Sequence, residues 1–164
     1  MASLRQPEPP PSLCVGAEAS ASSIGLFTYG TLLFADVLQI LLDRVPSRRA
    51  ASAPGWRAAL LRDRPYPALV PADDVAEGHL LTGLSRKERL ILRAYENGTI
   101  YQLTTIPLAD GEIAEAYTCV DERAVREENW DKAFFAGYQL AAFLIECETW
   151  RASFDSSPLN AEAP

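Results

Sequence analysis

The residues that most often do chemistry on their own are scarce in this chain. Its 164 residues include one His, three Cys and one Met. Cys14, Cys119 and Cys147 lie far apart, and with a single His they match no familiar zinc-ligand spacing. An odd cysteine count argues against a disulfide framework, and no basic start followed by a hydrophobic stretch suggests secretion. The expectation is a reducing, cytoplasmic location and no metal site. Positive charge is short too. Fifteen Lys plus Arg against 22 Asp plus Glu leave a net charge of -7, which disfavours a surface that tracks nucleic-acid phosphates or an anionic membrane. The apolar runs are only a few residues long, against the ~20 that a bilayer span requires. GxGxxG and GxxxxGK[ST] are both missing, which removes the dinucleotide and Walker-type phosphate loops.

Apolar types make up 48% of the chain and charged types 23%, enough to cover the core of one domain. The first 23 residues hold four of the twelve prolines and almost no large apolar side chains. Residues 1–23 are therefore expected to be a disordered tail, 155–164 a flexible one, and 24–154 the folded domain.

Inside that domain, IGLFTYG reads as a short strand ended by Gly30. The following TLLFADVLQILLDRV carries Leu33, Val37, Ile40 and Leu41 at helical spacing. Pro46 and SRRAASAPG punctuate the chain before a second strand, WRAALL. RDRPYPALVPADD looks irregular, and VAEGHLLTGL is a further strand. Ser85 and Glu88 form a capping box at the start of SRKERLILRAYE, with Leu90, Ile91 and Ala94 as the inner stripe and the Asn97-Gly98 turn as the end. IYQLTTIPLA and EIAEAYTCV flank Asp110-Gly111, the best hairpin signal in the chain. A closing helix spans NWDKAFFAGYQLAAFLIECETW, with Phe134, Tyr138, Ala141 and Ile145, joined by Phe135 and Ala142, on the face expected to be buried and Asp131, Lys132 and Glu146 free to point outward. About five strands broken by three helices, outside any βαβ rhythm, imply an α+β fold or small mixed β-barrel.

Two places carry candidate chemistry. A glycine ending a strand frees the backbone to turn, so the amides of Gly30, Thr31 and Leu32 can converge on one spot and hold a carboxylate or phosphate. The same pattern also suits a plain turn and helix start. Glu96 follows an apolar helix face between Tyr95 and a sharp turn. Burial there without a cation would raise its pKa towards neutrality, as a general base for an amine requires, whereas exposure would make it an ordinary surface acid. His79 reads as a structural imidazole, and Cys119 and Cys147 as small buried hydrophobes. Trp130, Phe134, Phe135, Tyr138 and Trp150 read as core or interface in an acidic setting, not as a base-stacking platform.

YGTL at 29–32, YPALVP at 66–71, VAEGHLLTGLS at 75–85, LRAYE at 92–96 and AEAYTCVD at 114–121 occur in an order that resembles the gamma-glutamylcyclotransferase-like superfamily, with its avirulence-induced-gene-2-like branch. The likeness covers nearly all of residues 24–154. It implies a small mixed β-barrel flanked by helices, with a cavity at its mouth. It implies a cofactor-free enzyme that cyclises a small gamma-glutamyl amine or amino acid to 5-oxoproline and releases the amine. In that likeness Glu96 is the catalytic acid-base, and Tyr29, Gly30, Thr31, Leu32 and Tyr101 bind the substrate. This chain departs from the pattern after Glu96. Relatives place a Tyr four positions on, often with an Arg soon after, whereas here Tyr101 stands five positions on and Gln102 follows it. A catalytically silent module that binds a small ligand or a protein is the alternative. Neither nucleic acid nor membrane is expected as a partner, and the oligomeric state is left open.

Overall fold

Alternation along one short strand sends its side chains into two separate cores. The computed structural model describes residues 24–96, 98 and 100–157, and in it β1 (Leu26–Thr28) is buried throughout. Successive side chains of a strand point to opposite faces. Leu26 therefore joins Val37, Leu38, Leu41, Ile91, Leu92, Phe135 and Phe143 in a core shared with the helices. Phe27 joins Leu69, Leu80, Ile106, Ala114 and Ala116 in a second core. The neighbouring strand splits in the same way, Leu81 belonging to the first core and Leu80 to the second.

The chain passes from β1 through a 3-10 turn (Thr31–Leu33) into α1 (Ala35–Leu42), then β2 (Ser47–Leu61), β3 (Pro67–Thr82) and α2 (Arg86–Glu96). β4 (Tyr101–Pro107), β5 (Ile113–Cys119), β6 (Val125–Asn129), α3 (Lys132–Tyr138) and α4 (Leu140–Asp155) complete it. Six strands form one sheet in the order β4-β5-β1-β3-β2-β6. β1 runs antiparallel to β3 and parallel to β5; beyond the end of β1, β3 pairs directly with β5 at Leu69↔Thr118. Closing over so short a strand curls the sheet into a half-barrel flanked by helices, in keeping with the expected α+β class. Small residues line the curl. Ala53, Ala59, Ala68, Ala114 and Ala116 are all fully enclosed.

Three local expectations are met. Ser85 Oγ accepts from Glu88 N at 3.1 Å and Glu88 Oε2 accepts from Ser85 N at 2.8 Å, closing the capping box. The Glu88 carboxylate is also held by Arg44 at 2.8 Å, and this guanidinium keeps its pKa below the usual range. Asp110-Gly111 turns β4 into β5, with Gly111 at φ 87°. After YGTL, Leu33 is buried in the 3-10 turn and Val37 and Leu41 in α1 as their spacing predicts, and Ile40 is half-buried.

Other readings need correction. SRRAASAPG is not a connection but most of β2, and the strand expected from Val75 begins at Pro67. The two pair from Ser47↔Thr82 to Leu60↔Pro67, interrupted by a bulge where Gly55 takes φ 84°. Ala, Ser, Arg and Pro have weak strand preference, so the pairing partner decides here. β6 carried no recognisable strand signal. Leu90 is exposed, and Leu92 with Ile91 forms the inner side of α2. The closing helix breaks at Gln139; Phe135 and Cys147 are buried as expected and Phe143 joins them, but Phe134, Tyr138 and Ile145 face outward. Trp130 precedes the helix and donates from its indole to Pro65 O at 2.9 Å. The expected tail over 1–23, with Cys14, lies outside the described residues, as do Asn97 of the predicted turn and residues 158–164; Asp155 still belongs to α4.

Candidate active site

Six elements meet around one cavity of about 310 Å³. Tyr29, Gly30, Thr31 and Leu32 enter it from the turn after β1, and Tyr66-Pro67 from the start of β3. Tyr95 and Glu96 come from the end of α2, Tyr101 from the start of β4, Tyr117 from β5, and Phe143, Glu146 and Trp150 from α4. All six residues singled out in the sequence thus line the same space.

Gly30 is needed there for room, not for a left-handed turn. Its φ is -129°, and a Cβ at this position would stand 2.8 Å from Pro67 Cγ. Backbone contact on the other side of β1 is closer still. A Cβ on Gly78 would come within 1.9 Å of Thr28 O, so only glycine lets β3 pass the end of β1. After Gly30 the chain turns at once. Leu33 N donates to Gly30 O at 3.0 Å and Phe34 N to Thr31 O at 3.2 Å. The amides of Thr31 and Leu32 precede the first donor of that turn, so the turn offers them no acceptor of its own.

Glu96 ends α2 half-buried, with its open side in the cavity. Burial without a cationic partner pushes its carboxyl pKa up to about 7. Four tyrosines feel this group. Burial chiefly, and then the Glu96 charge, raises the pKa of Tyr29 and Tyr117, and the same two causes act on Tyr95 and Tyr101 beside other neighbours. Their hydroxyls therefore stay protonated at neutral pH. Tyr29 Oη donates to Tyr117 O, and Tyr101 Oη donates to Pro67 O at 2.8 Å. Each of these hydroxyls has spent its proton on a backbone carbonyl and retains oxygen lone pairs as acceptors.

Tyr66, Tyr95, Tyr117, Phe143, Glu146 and Trp150 were not singled out as site residues. Tyr66, Tyr95 and Tyr117 lie inside the motifs that carried the family likeness, so a signal existed for them. Glu146 was assigned to the solvent side of the closing helix and Trp150 to its core or interface. His79 lies apart from the cavity, and Cys147 meets Tyr95 Oη at 3.5 Å behind the wall. Among the described residues no three His, Cys, Asp or Glu side chains gather as a metal cluster. No described helix is long and apolar enough to cross a membrane.

Residues 26–132 match the family model described as gamma-glutamyl cyclotransferase, AIG2-like. The chain is similar to AIG2-like protein A of Arabidopsis thaliana, 32% identical over 91 residues, which is 55% of this chain and 54% of that protein. It is also similar to AIG2-like protein D of the same plant, 34% identical over 73 residues, 44% of this chain and 48% of the relative. The match thus spans about half the length of these curated relatives. Two solution structures of Arabidopsis thaliana proteins share the fold. One has a TM-score of 0.59 at 24% identity, covering 90% of this chain and 92% of the other; the second has 0.56 at 23%, covering 90% and 99%. With the half-barrel, the cavity at its mouth and the family match over most of the domain, the chain belongs to the AIG2-like gamma-glutamyl cyclotransferase family.

Proposed function

We propose that the chain is a cofactor-free gamma-glutamylcyclotransferase. It would convert a small gamma-glutamyl amine or amino acid to 5-oxoproline and free amine, with Glu96 as the proton carrier. The observation that carries this reading is a carboxyl with a pKa of about 7 in the same cavity as the Thr31 and Leu32 amides. Its substrate contains both nucleophile and electrophile, the α-amine and the γ-carbonyl carbon. Holding them in one cavity gives ring closure the advantage of an intramolecular attack.

In this mechanism the substrate carboxylate lies against the Thr31 and Leu32 amides. The α-ammonium donates to the lone pairs of Tyr29 and Tyr101 and to Glu96. Glu96 takes one proton, and the freed amine attacks the γ-carbonyl carbon to give a tetrahedral oxyanion. As the oxyanion collapses, the bond to the original amide nitrogen breaks. That nitrogen receives a proton from Glu96, and the second proton shed by the attacking nitrogen brings the amine out as its ammonium. No water is consumed and no electrons change hands.

The test is 5-oxoproline release from a panel of gamma-glutamyl amines, amino acids and glutathione. Turnover should fall roughly 100-fold or more in Glu96→Gln, which keeps the size of the side chain but cannot carry the proton. In the wild type, kcat/KM should rise with pH through about 7, as Glu96 loses its proton. A Glu96→Gln protein keeping more than about a tenth of wild-type turnover would remove the assignment. The second reading is a silent module that binds a small ligand or a protein through the same cavity. It rests on the displaced Tyr101 and on the lack of any Lys or Arg among the described cavity residues. Binding of a gamma-glutamyl compound with no 5-oxoproline from any of the panel would favour it.

A further inference from the structure

The cavity has an unusual charge balance at its outer end. Among its described lining residues there is no Lys, Arg or His, and the two formal charges belong to Glu96 and Glu146. Glu96 is half-buried and occupied by the proton transfer assigned to it above. Glu146 is exposed, one helical turn before Trp150 and three residues after Phe143, so α4 presents Phe143, Glu146 and Trp150 along a single face. Among the described residues Glu146 is in no ion pair, unlike Glu88, Glu112 and Glu115, each held by an arginine. Aromatic rings surround its end of the cavity. Tyr95 meets Trp150 edge-on with ring centres 5.1 Å apart, and Tyr66 lies 6.0 Å from Phe143.

A gamma-glutamyl group whose carboxylate sits at Thr31 and Leu32 and whose amine reaches Glu96 must send its leaving group elsewhere, and α4 forms the remaining side. An aliphatic chain packs well on Phe143 and Trp150. A terminal ammonium is attracted by ring faces and by an unpaired carboxylate, whereas a terminal carboxylate is repelled by both. We propose that Glu146 reads the charge of the departing amine, so that the cavity favours gamma-glutamyl amides whose amine carries a second, cationic group and disfavours those carrying an added carboxylate. This inference rests on the cyclotransferase reading for the orientation of the substrate.

Three probes of matched head group separate the terms: N-(gamma-glutamyl)-1,4-diaminobutane, N-(gamma-glutamyl)butylamine and gamma-glutamylglutamate. Their affinities are measured by calorimetry on the Glu96→Gln protein, which retains bound substrate, and their turnover on the wild type. The cationic probe should bind about fivefold more tightly than the neutral one, the scale of one partly exposed ion pair plus a ring contact. Adding Glu146→Gln should erase that ratio, and Glu146→Lys should turn the preference towards gamma-glutamylglutamate. Glu148→Gln removes the same charge from an exposed site outside the cavity on the same helix and should leave the ratio unchanged. Equal affinities for the cationic and neutral probes, or a preference that survives Glu146→Gln, would overturn the role of Glu146 whatever turnover shows. A preference that depends on Glu146 without 5-oxoproline from any probe would uphold it and instead overturn the cyclotransferase reading.

Discussion

Glu96 carries a stability cost that can be measured apart from activity. In the unfolded chain a Glu titrates near 4.3, and in the folded protein this one titrates at about 7. Between those values the folded state binds the extra proton, so stability falls as pH rises through the window and levels off above 7. The loss is at most about 4 kcal/mol. Glu96→Gln removes it. Its melting temperature should therefore exceed the wild type at pH 8 and converge with it near pH 4, which thermal denaturation across that range would check. Equal melting temperatures at pH 8 would mean that the carboxylate is solvated. Gly30→Val should act in the opposite direction at every pH. Its side chain must displace Pro67, whose carbonyl accepts the Tyr101 hydroxyl. Folding stability should drop by about 1 to 3 kcal/mol, with weaker substrate binding by calorimetry.

At the scale of elements, the closing helices show how a periodicity can be right and its orientation wrong. Phe134, Tyr138, Ala141 and Ile145 do share a stripe, but the stripe beside it, through Phe135, Phe143, Cys147 and Arg151, faces the core. Both stripes are rich in large side chains. The choice falls to the residues flanking α1, β3 and β6, where Phe34, Tyr66 and Trp130 stand as partners for Phe135 and Phe143. Phe135→Ala should cost about 3 to 5 kcal/mol, and Phe134→Ala, at an exposed site, about 0.5 kcal/mol or less. Chemical denaturation of the pair distinguishes the two faces. By contrast, the capping box and the Asp110-Gly111 turn were legible because each closes within a few residues and needs no distant partner.

At the scale of the whole molecule, Arg151 ties α4, which lines the cavity, to the end of α1. Its guanidinium lies almost buried between α4 and α1, donating to Leu41 O and bonding Asp43 and Asp155, each at 3.1 Å. Leu41 O belongs to the last turn of α1, where the helix itself supplies no donor. Arg151→Met fills the space but leaves that carbonyl unpaired, so stability should drop by about 1 to 3 kcal/mol. Because Glu146 and Trp150 sit on the same helix, KM for gamma-glutamyl substrates should rise more than kcat falls. Steady-state kinetics together with thermal denaturation would check this. An unchanged KM would mean that α4 holds its place without the arginine.

What the sequence determined by itself was whatever depends on near neighbours: the strand, turn and helix around Tyr29-Gly30-Thr31-Leu32, the capped helix that ends in Glu96, and the hairpin. The order of its motifs also identified the fold family. The tertiary structure alone decided the lengths of β2 and β3, because pairing along the curl overrides the weak strand preference of Ala, Ser and Pro. It alone decided which face of α4 is inward, and with it the position of Glu146 at the cavity mouth. Above all it decided that Glu96 stands half-buried with no cation beside it. The pKa of a carboxyl depends on what stands around it in space, and Tyr29, Tyr101 and Tyr117 reach it from three different strands or their ends.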